Sequence, residues 1–131
     1  MISEYLKNYK VLLASSSKRR HELLKELEIN FQIVFQKIEE SYPKNLIKSE
    51  ITDFLSKKKS FPFLNSLKKN ELLITSDTIV WFNNKAIEKP KNIVEAKEML
   101  NLLSGCMHQV FTSICISLKD QQKILKTKYL Q

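Results

Sequence analysis

Two spacings of apolar residues alternate along this chain, and they predict an alternation of strands and helices. Residues 10–14 form a short apolar run that stops at Ser15, Ser16 and Ser17, the pattern of a buried strand. Leu23, Leu24 and Leu27 then recur at helical spacing, and with Ser17 as N-cap they predict a helix over 18–27. Residues 31–35 mix aromatic and β-branched side chains and predict a second strand, which leads to the acidic pair Glu39 and Glu40 and a stop at Tyr42 and Pro43. The next helix is expected over 49–59. Because Pro62 interrupts the apolar pattern, 61–70 reads as helix end and loop. Residues 71–76 predict a buried strand ending at Asp77 and Thr78, and 79–82 continues in extended form to Asn83 and Asn84, a pair suited to a hairpin turn. Val94, Met99, Leu100, Leu102 and Leu103 are spaced as a helix over 93–103, stopped by Ser104 and Gly105. The alternation over 109–118 predicts a long strand, and a turn over 119–122 leads to a last strand over 123–129.

The resulting order, β-α-β-α-β-β-α-β-β, is that of an α/β protein. The 131 residues suit a single domain over 1–131, without repeats or low-complexity tracts. Composition narrows the chemistry. Lys and Arg exceed Asp and Glu by 22 to 14, a charge of +8 that favours anionic partners. Gly105 is the single glycine, so neither a Walker loop nor a dinucleotide-binding glycine turn can be present. A phosphate site here must rest on side chains and helix N-termini. Cys106 and Cys115 lack zinc-ligand spacing, and with only His21 and His108 beside them neither a structural zinc nor a disulfide scaffold is expected. No apolar run is long enough to suggest a membrane-spanning helix.

Arginine is the sharpest local signal. The chain uses lysine for its cations everywhere except at Arg19 and Arg20. A guanidinium pair in the first turn of a helix, beside the hydroxyls of Ser15 and Ser17, would grip phosphate with forks and free N–H groups together. The competing reading is a solvated helix surface. Asp77 and Thr78 at a strand end would line the usual ligand crevice of an α/β sheet, with Asp77 as base or metal ligand or, alternatively, as a turn former. Glu39 and Glu40 could add a metal-facing carboxylate or lie in an exposed loop. Lys57, Lys58 and Lys59, and Lys89 before Pro90, read individually as solvated, His21 as a surface residue and His108 as structural.

Taken together, these motifs resemble the Maf family of nucleoside triphosphate pyrophosphatases. The family's L-A-S-x-S-P-R-R corresponds to residues 13–20, with Lys18 in place of proline, and its E-L-L to Glu22, Leu23 and Leu24. The acidic pair matches Glu39 and Glu40, and a helix lysine before a small residue matches Lys59 and Ser60. A-D-T-x-V corresponds to residues 76–80 with Ser76 for alanine, G-K-P to Glu88, Lys89 and Pro90, and L-S-G-x-x-H-x-V-x-T to residues 103–112. The resemblance implies hydrolysis of a nucleoside triphosphate between its α and β phosphates, with a divalent metal, Mg²⁺ or Mn²⁺. It implies Asp77 as general base, and Ser15, Arg20, Lys59 and Lys89 as phosphate ligands. Thr78 and Arg19 become specificity positions, and Glu39 with Asp77 the metal ligands. His108, Gln109 and Val110 resemble the branch acting on dTTP and UTP. The implied fold is an elongated mixed sheet of the Maf/ITPase type with flanking helices and a central cleft. A cytoplasmic enzyme is expected, in some members a homodimer, whose partner is nucleotide and not nucleic acid or membrane. The family's Pro-x-Asp-Lys-Ala-Gly-Ala-Tyr-Gly-Ile-Gln segment is not in this sequence. The expectation is therefore a domain shortened at its C-terminal lobe, with a catalytically impaired nucleotide-binding remnant as the alternative.

Overall fold

The computed structural model describes residues 2–87, 92–105 and 107–130. In chain order the elements are α1 (Ile2–Leu6), β1 (Lys10–Leu13), α2 (Lys18–Glu26), β2 (Phe31–Ile33), α3 (Ser49–Leu64), β3 (Glu71–Phe82), β4 (Lys85–Ile87), α4 (Ile93–Leu103), β5 (Gln109–Leu118) and β6 (Gln121–Leu130). They form a mixed sheet of six strands in the order β2-β1-β3-β5-β6, with β4 paired to the far end of β3. β1 runs parallel to β2 and β3, while β3, β5 and β6 are joined antiparallel. The α/β class is thus as the periodicity predicts, and the mixed sheet with flanking helices as the resemblance implies.

Alternation along β1 and β3 divides the core between the two faces of the sheet. Val11 and Leu72 pack with Ile29, Leu24 and Phe31 on one side, and Leu12 and Leu73 with Leu67, Val34 and Phe63 on the other. Leu73 is fully buried, and a side chain of that kind contributes about 1.5–3 kcal/mol. α3 covers the second face, but its innermost ridge is not apolar. Thr52, Ser56 and Ser60, four residues apart, are each 0% exposed and so lie one above another on a single face. Their partners are hydroxyls, an amide and the helix backbone. Thr52 Oγ1 lies 2.7 Å from Ser113 Oγ, Thr75 Oγ1 donates to Ser56 O at 2.7 Å, and Gln122 Nε2 donates to Ser60 Oγ at 2.8 Å and to Ser117 Oγ at 2.9 Å.

Several boundaries differ from the sequence expectation for physical reasons. α3 continues through Pro62 to Leu64. Proline there removes one N–H in the last turn, where few residues remain to be disrupted. β3 is one strand of 12 residues, so Asp77 and Thr78 sit inside it and not at its end. β2 is shorter than expected, β6 begins at Gln121, and α1 was not anticipated. The Asn83-Asn84 turn is present, with both residues at positive φ (53° and 62°), the geometry a two-residue hairpin demands.

Candidate active site

The topology leaves an interval in the sheet beside the middle of β3. β1 pairs with it as far as Ile74, and the described residues of β4 pair with Val80, Trp81 and Phe82. Among the described residues, 75–79 is paired with β5 on one edge and with neither β1 nor β4 on the other. Asp77 and Thr78 occupy this interval, at the carboxyl end of β1, where α/β sheets commonly bind ligands.

The turn after β1 brings the first set of groups. Ser17 caps α2, its hydroxyl accepting from Arg20 N at 3.4 Å, and its own N–H donates to Ser15 Oγ at 3.1 Å. With its helix started in this way, Arg20 reaches across the interval. Nη1 donates to Ser15 Oγ and Nη2 to Thr78 Oγ1, both at 3.3 Å, and Thr78 Oγ1 lies 2.9 Å from Thr112 Oγ1 on β5. Burial pushes the Arg20 guanidinium below its ordinary value, while Asp77 and then Glu40 pull it back up. It stays a cation throughout the physiological range.

α3 brings the second set. Lys59 Nζ donates to Ser76 O at 3.1 Å and to Asp77 Oδ1 at 3.0 Å, and lies 3.2 Å from Glu40 Oε1. Asp77 is 4% exposed, so the ammonium is paired with a carboxylate largely withdrawn from water. The two sets border one cavity of about 470 Å³. Its polar wall includes Ser15, Ser17, Arg20, Glu40, Lys59 and Ser76, and its apolar wall Val34, Phe35, Ile38 and Phe63.

Of the residues singled out in the sequence, Ser15, Arg20, Lys59, Asp77 and Thr78 are brought together here. Arg19 is exposed on α2 and does not line the cavity. Glu39 is also exposed and off the cavity wall, and its neighbour Glu40 is the acid that meets Lys59. Lys89 lies outside the described residues. Lys59 is turned inward while Lys57 is exposed and Lys58 bonds Ser41 O at 3.0 Å. The helical phase carries that signal, since Lys59 follows buried Leu55 by four positions and Thr52 by seven. His21 and Thr112 complete the surroundings, and reading residue by residue found neither. His21 is not a free surface side chain, because its ring bonds the Ser15 carbonyl.

The donor set can be tested against a divalent cation. Among the described residues no group of three or more His, Cys, Asp or Glu side chains is placed to hold a metal. Asp77 and Glu40 nevertheless converge on a single ammonium, so the spot already accommodates positive charge. Two carboxylates suit Mg²⁺, which keeps waters and takes phosphate oxygens for the rest of its octahedral shell. Among the described residues no helix is long and apolar enough to cross a membrane.

Comparison with known proteins accords with this geometry. The family model described as "Maf-like protein" matches residues 10–130. The chain is 49% identical to a dTTP/UTP pyrophosphatase of Christiangramia forsetii over 95% of its own length and 64% of the relative's. It is 48% identical to one of Flavobacterium johnsoniae over 88% and 59%, and 40% identical to one of Bacteroides thetaiotaomicron over 90% and 62%. The chain therefore spans less than two thirds of the length of these curated relatives. Among solved structures, the Staphylococcus aureus Ham1 protein superposes with a TM-score of 0.57 at 16% identity, covering 92% of this chain and 70% of that one. A nucleoside-triphosphatase / dITP/XTP pyrophosphatase of Mycobacterium abscessus gives 0.52 at 10% identity, covering 92% and 72%. At such identities the likeness is one of fold.

Proposed function

This chain belongs to the Maf family, and from that premise we propose that it is a nucleoside triphosphate pyrophosphatase. It hydrolyses dTTP, UTP or related nucleotides, modified ones included, to the monophosphate and pyrophosphate. The observation that carries the reading is the convergence of Arg20 and Lys59, from two separate helices, on the interval of β3 that holds Asp77. Cleaving a phosphoanhydride requires cations on the phosphoryl oxygens and a base that orients water, and little covalent chemistry besides.

The described positions support a part for each of these residues except Lys89, which lies outside them and is included from the family resemblance. Ser15 and Arg20 take phosphate oxygens on one side of the cavity and Lys59 on the other, with Lys89 as a further phosphate ligand. Asp77 accepts the proton that water sheds as its oxygen bonds to phosphorus. The bridging oxygen between the α and β phosphates departs with the opposite fragment. Asp77 and Glu40 would hold a divalent cation. Such a cation, when bound, neutralises phosphate charge and polarises the phosphoryl oxygens. Thr78, fixed by Arg20 and Thr112, stands where it could distinguish one nucleotide from another, and exposed Arg19 is the second position proposed for that role. The names of the curated relatives support dTTP and UTP as the substrates. On this reading the protein works in the cytoplasm on free nucleotides, and its surplus positive charge serves polyphosphate.

The test is pyrophosphate release from dTTP, UTP, CTP, GTP and modified nucleotides with Mg²⁺ or Mn²⁺, beside the Asp77→Asn protein. Turnover that Asp77→Asn abolishes without unfolding the protein is expected. Tight nucleotide binding with no turnover would replace this reading with that of a binding protein.

A further inference from the structure

His21 stands outside the machinery just described, yet its ring holds the turn on which that machinery depends. The last backbone ladder contact of this segment is Ala14 N to Ile74 O at 3.0 Å. Beyond it, the Ser15 peptide has left the sheet, and with no glycine in the turn the chain is held by side chains. His21 Nε2 lies 2.7 Å from the Ser15 carbonyl oxygen. A carbonyl only accepts, so Nε2 carries the proton in this contact. The ring is itself supported, its centroid 6.0 Å from that of Phe31 with the planes inclined by 38°. Phe31 pairs in register with Val11 of β1, which ties the imidazole to the strand from which the turn departs.

Ser15 is consequently gripped at both ends. Its carbonyl accepts from His21, and its hydroxyl accepts from Ser17 N at 3.1 Å and from Arg20 Nη1 at 3.3 Å. We propose that His21 is a positioning residue. By fixing the Ser15 peptide it keeps the Ser15 hydroxyl against the Arg20 guanidinium, and so presets the pair that receives phosphate. The consequence for nucleotide affinity rests on the pyrophosphatase reading, whereas the consequence for the turn does not.

Two substitutions separate the hydrogen bond from the ring. His21→Phe keeps an aromatic ring against Phe31 and removes the donor, while His21→Gln supplies an amide donor and removes the ring. The readouts are hydrogen exchange at the Ser17 amide, calorimetric affinity for α,β-methylene-UTP, and kcat and KM for UTP. For His21→Phe, Ser17 exchange should accelerate about tenfold and KM and Kd should rise about tenfold with kcat little changed, the scale of one lost hydrogen bond. His21→Gln should recover most of each effect. Equal impairment in both variants, or none in His21→Phe, would overturn the proposal. If His21→Phe does not fold, His21→Met against His21→Gln provides the same comparison. Wild-type protein that neither binds nor hydrolyses nucleotide would defeat the pyrophosphatase reading alone, because the Ser17 exchange rates would still decide the role of His21.

Discussion

Lys59→Met keeps the length of the side chain and deletes its charge, and the surrounding geometry sets the expected cost. The ammonium bonds Asp77 Oδ1 at 3.0 Å, Ser76 O at 3.1 Å and Glu40 Oε1 at 3.2 Å. Glu40 is 48% exposed at its side chain, so its pairing resembles that of surface ions and contributes at most about 1 kcal/mol. Asp77 is different, with a side chain only 6% exposed. Removing the cation from a buried carboxylate typically costs about 3–5 kcal/mol. Arg20 still acts on Asp77 and the adjoining cavity admits water, which together place Lys59→Met near the lower bound, about 3 kcal/mol. For a chain of this size that corresponds to roughly 10 °C in Tm. Substituting both partners, Lys59→Met with Asp77→Asn, removes the carboxylate charge together with its nearest cation and should leave a deficit of only about 1 kcal/mol. Urea unfolding followed by the fluorescence of Trp81, the single tryptophan and a member of the same strand as Asp77, measures all three proteins. A double variant no more stable than Lys59→Met would refute the reasoning, since independent sites would simply add.

Three further outcomes are expected. Arg20→Lys replaces a fork by a single ammonium and cannot bond Ser15 and Thr78 together in the same way, so KM for UTP should rise by about tenfold or more, measured by steady-state kinetics. Glu40→Gln should raise the Mg²⁺ concentration needed for half-maximal turnover, whereas Glu39→Gln should leave it unchanged; titrating the metal in both variants decides between the two acids. Ser113→Ala removes the hydroxyl that donates to Asp53 Oδ1 at 2.6 Å and meets Thr52 Oγ1 at 2.7 Å. It should cost about 1–3 kcal/mol of stability in urea unfolding while KM stays as in the wild type.

The parts of this fold that could be read in the sequence are those in which one face is buried and the other is not. β5 alternates between buried and half-buried positions along most of its length, and its period of two is plain in the sequence. β3 was harder to bound because a carboxylate inside an apolar run suggests a strand end. Asp77 can lie mid-strand because Lys59 and Arg20 give it charge compensation that is remote in sequence. Arg20 was visible as one of a rare pair, but choosing it over Arg19 depends on which way α2 faces the sheet. Helical phase carried the burial of Lys59, yet three consecutive lysines read individually obscure it. Glu40 over Glu39 follows from the path of the segment between β2 and α3, which has no helix or strand periodicity to read.

The hydroxyl ridge under α3 determines how the helix can fail. Across an oily interface a helix can slide by a fraction of a turn and exchange one methyl contact for another at small cost. Thr52, Ser56 and Ser60 have no such intermediate positions, because a shift along the axis would break the contacts with Ser113, Thr75 and Gln122 together. Lys59 therefore arrives beside Asp77 at one docking position or not at all. Loss of α3 docking should accordingly be abrupt in temperature or denaturant, with Lys59 and the helix departing in a single step.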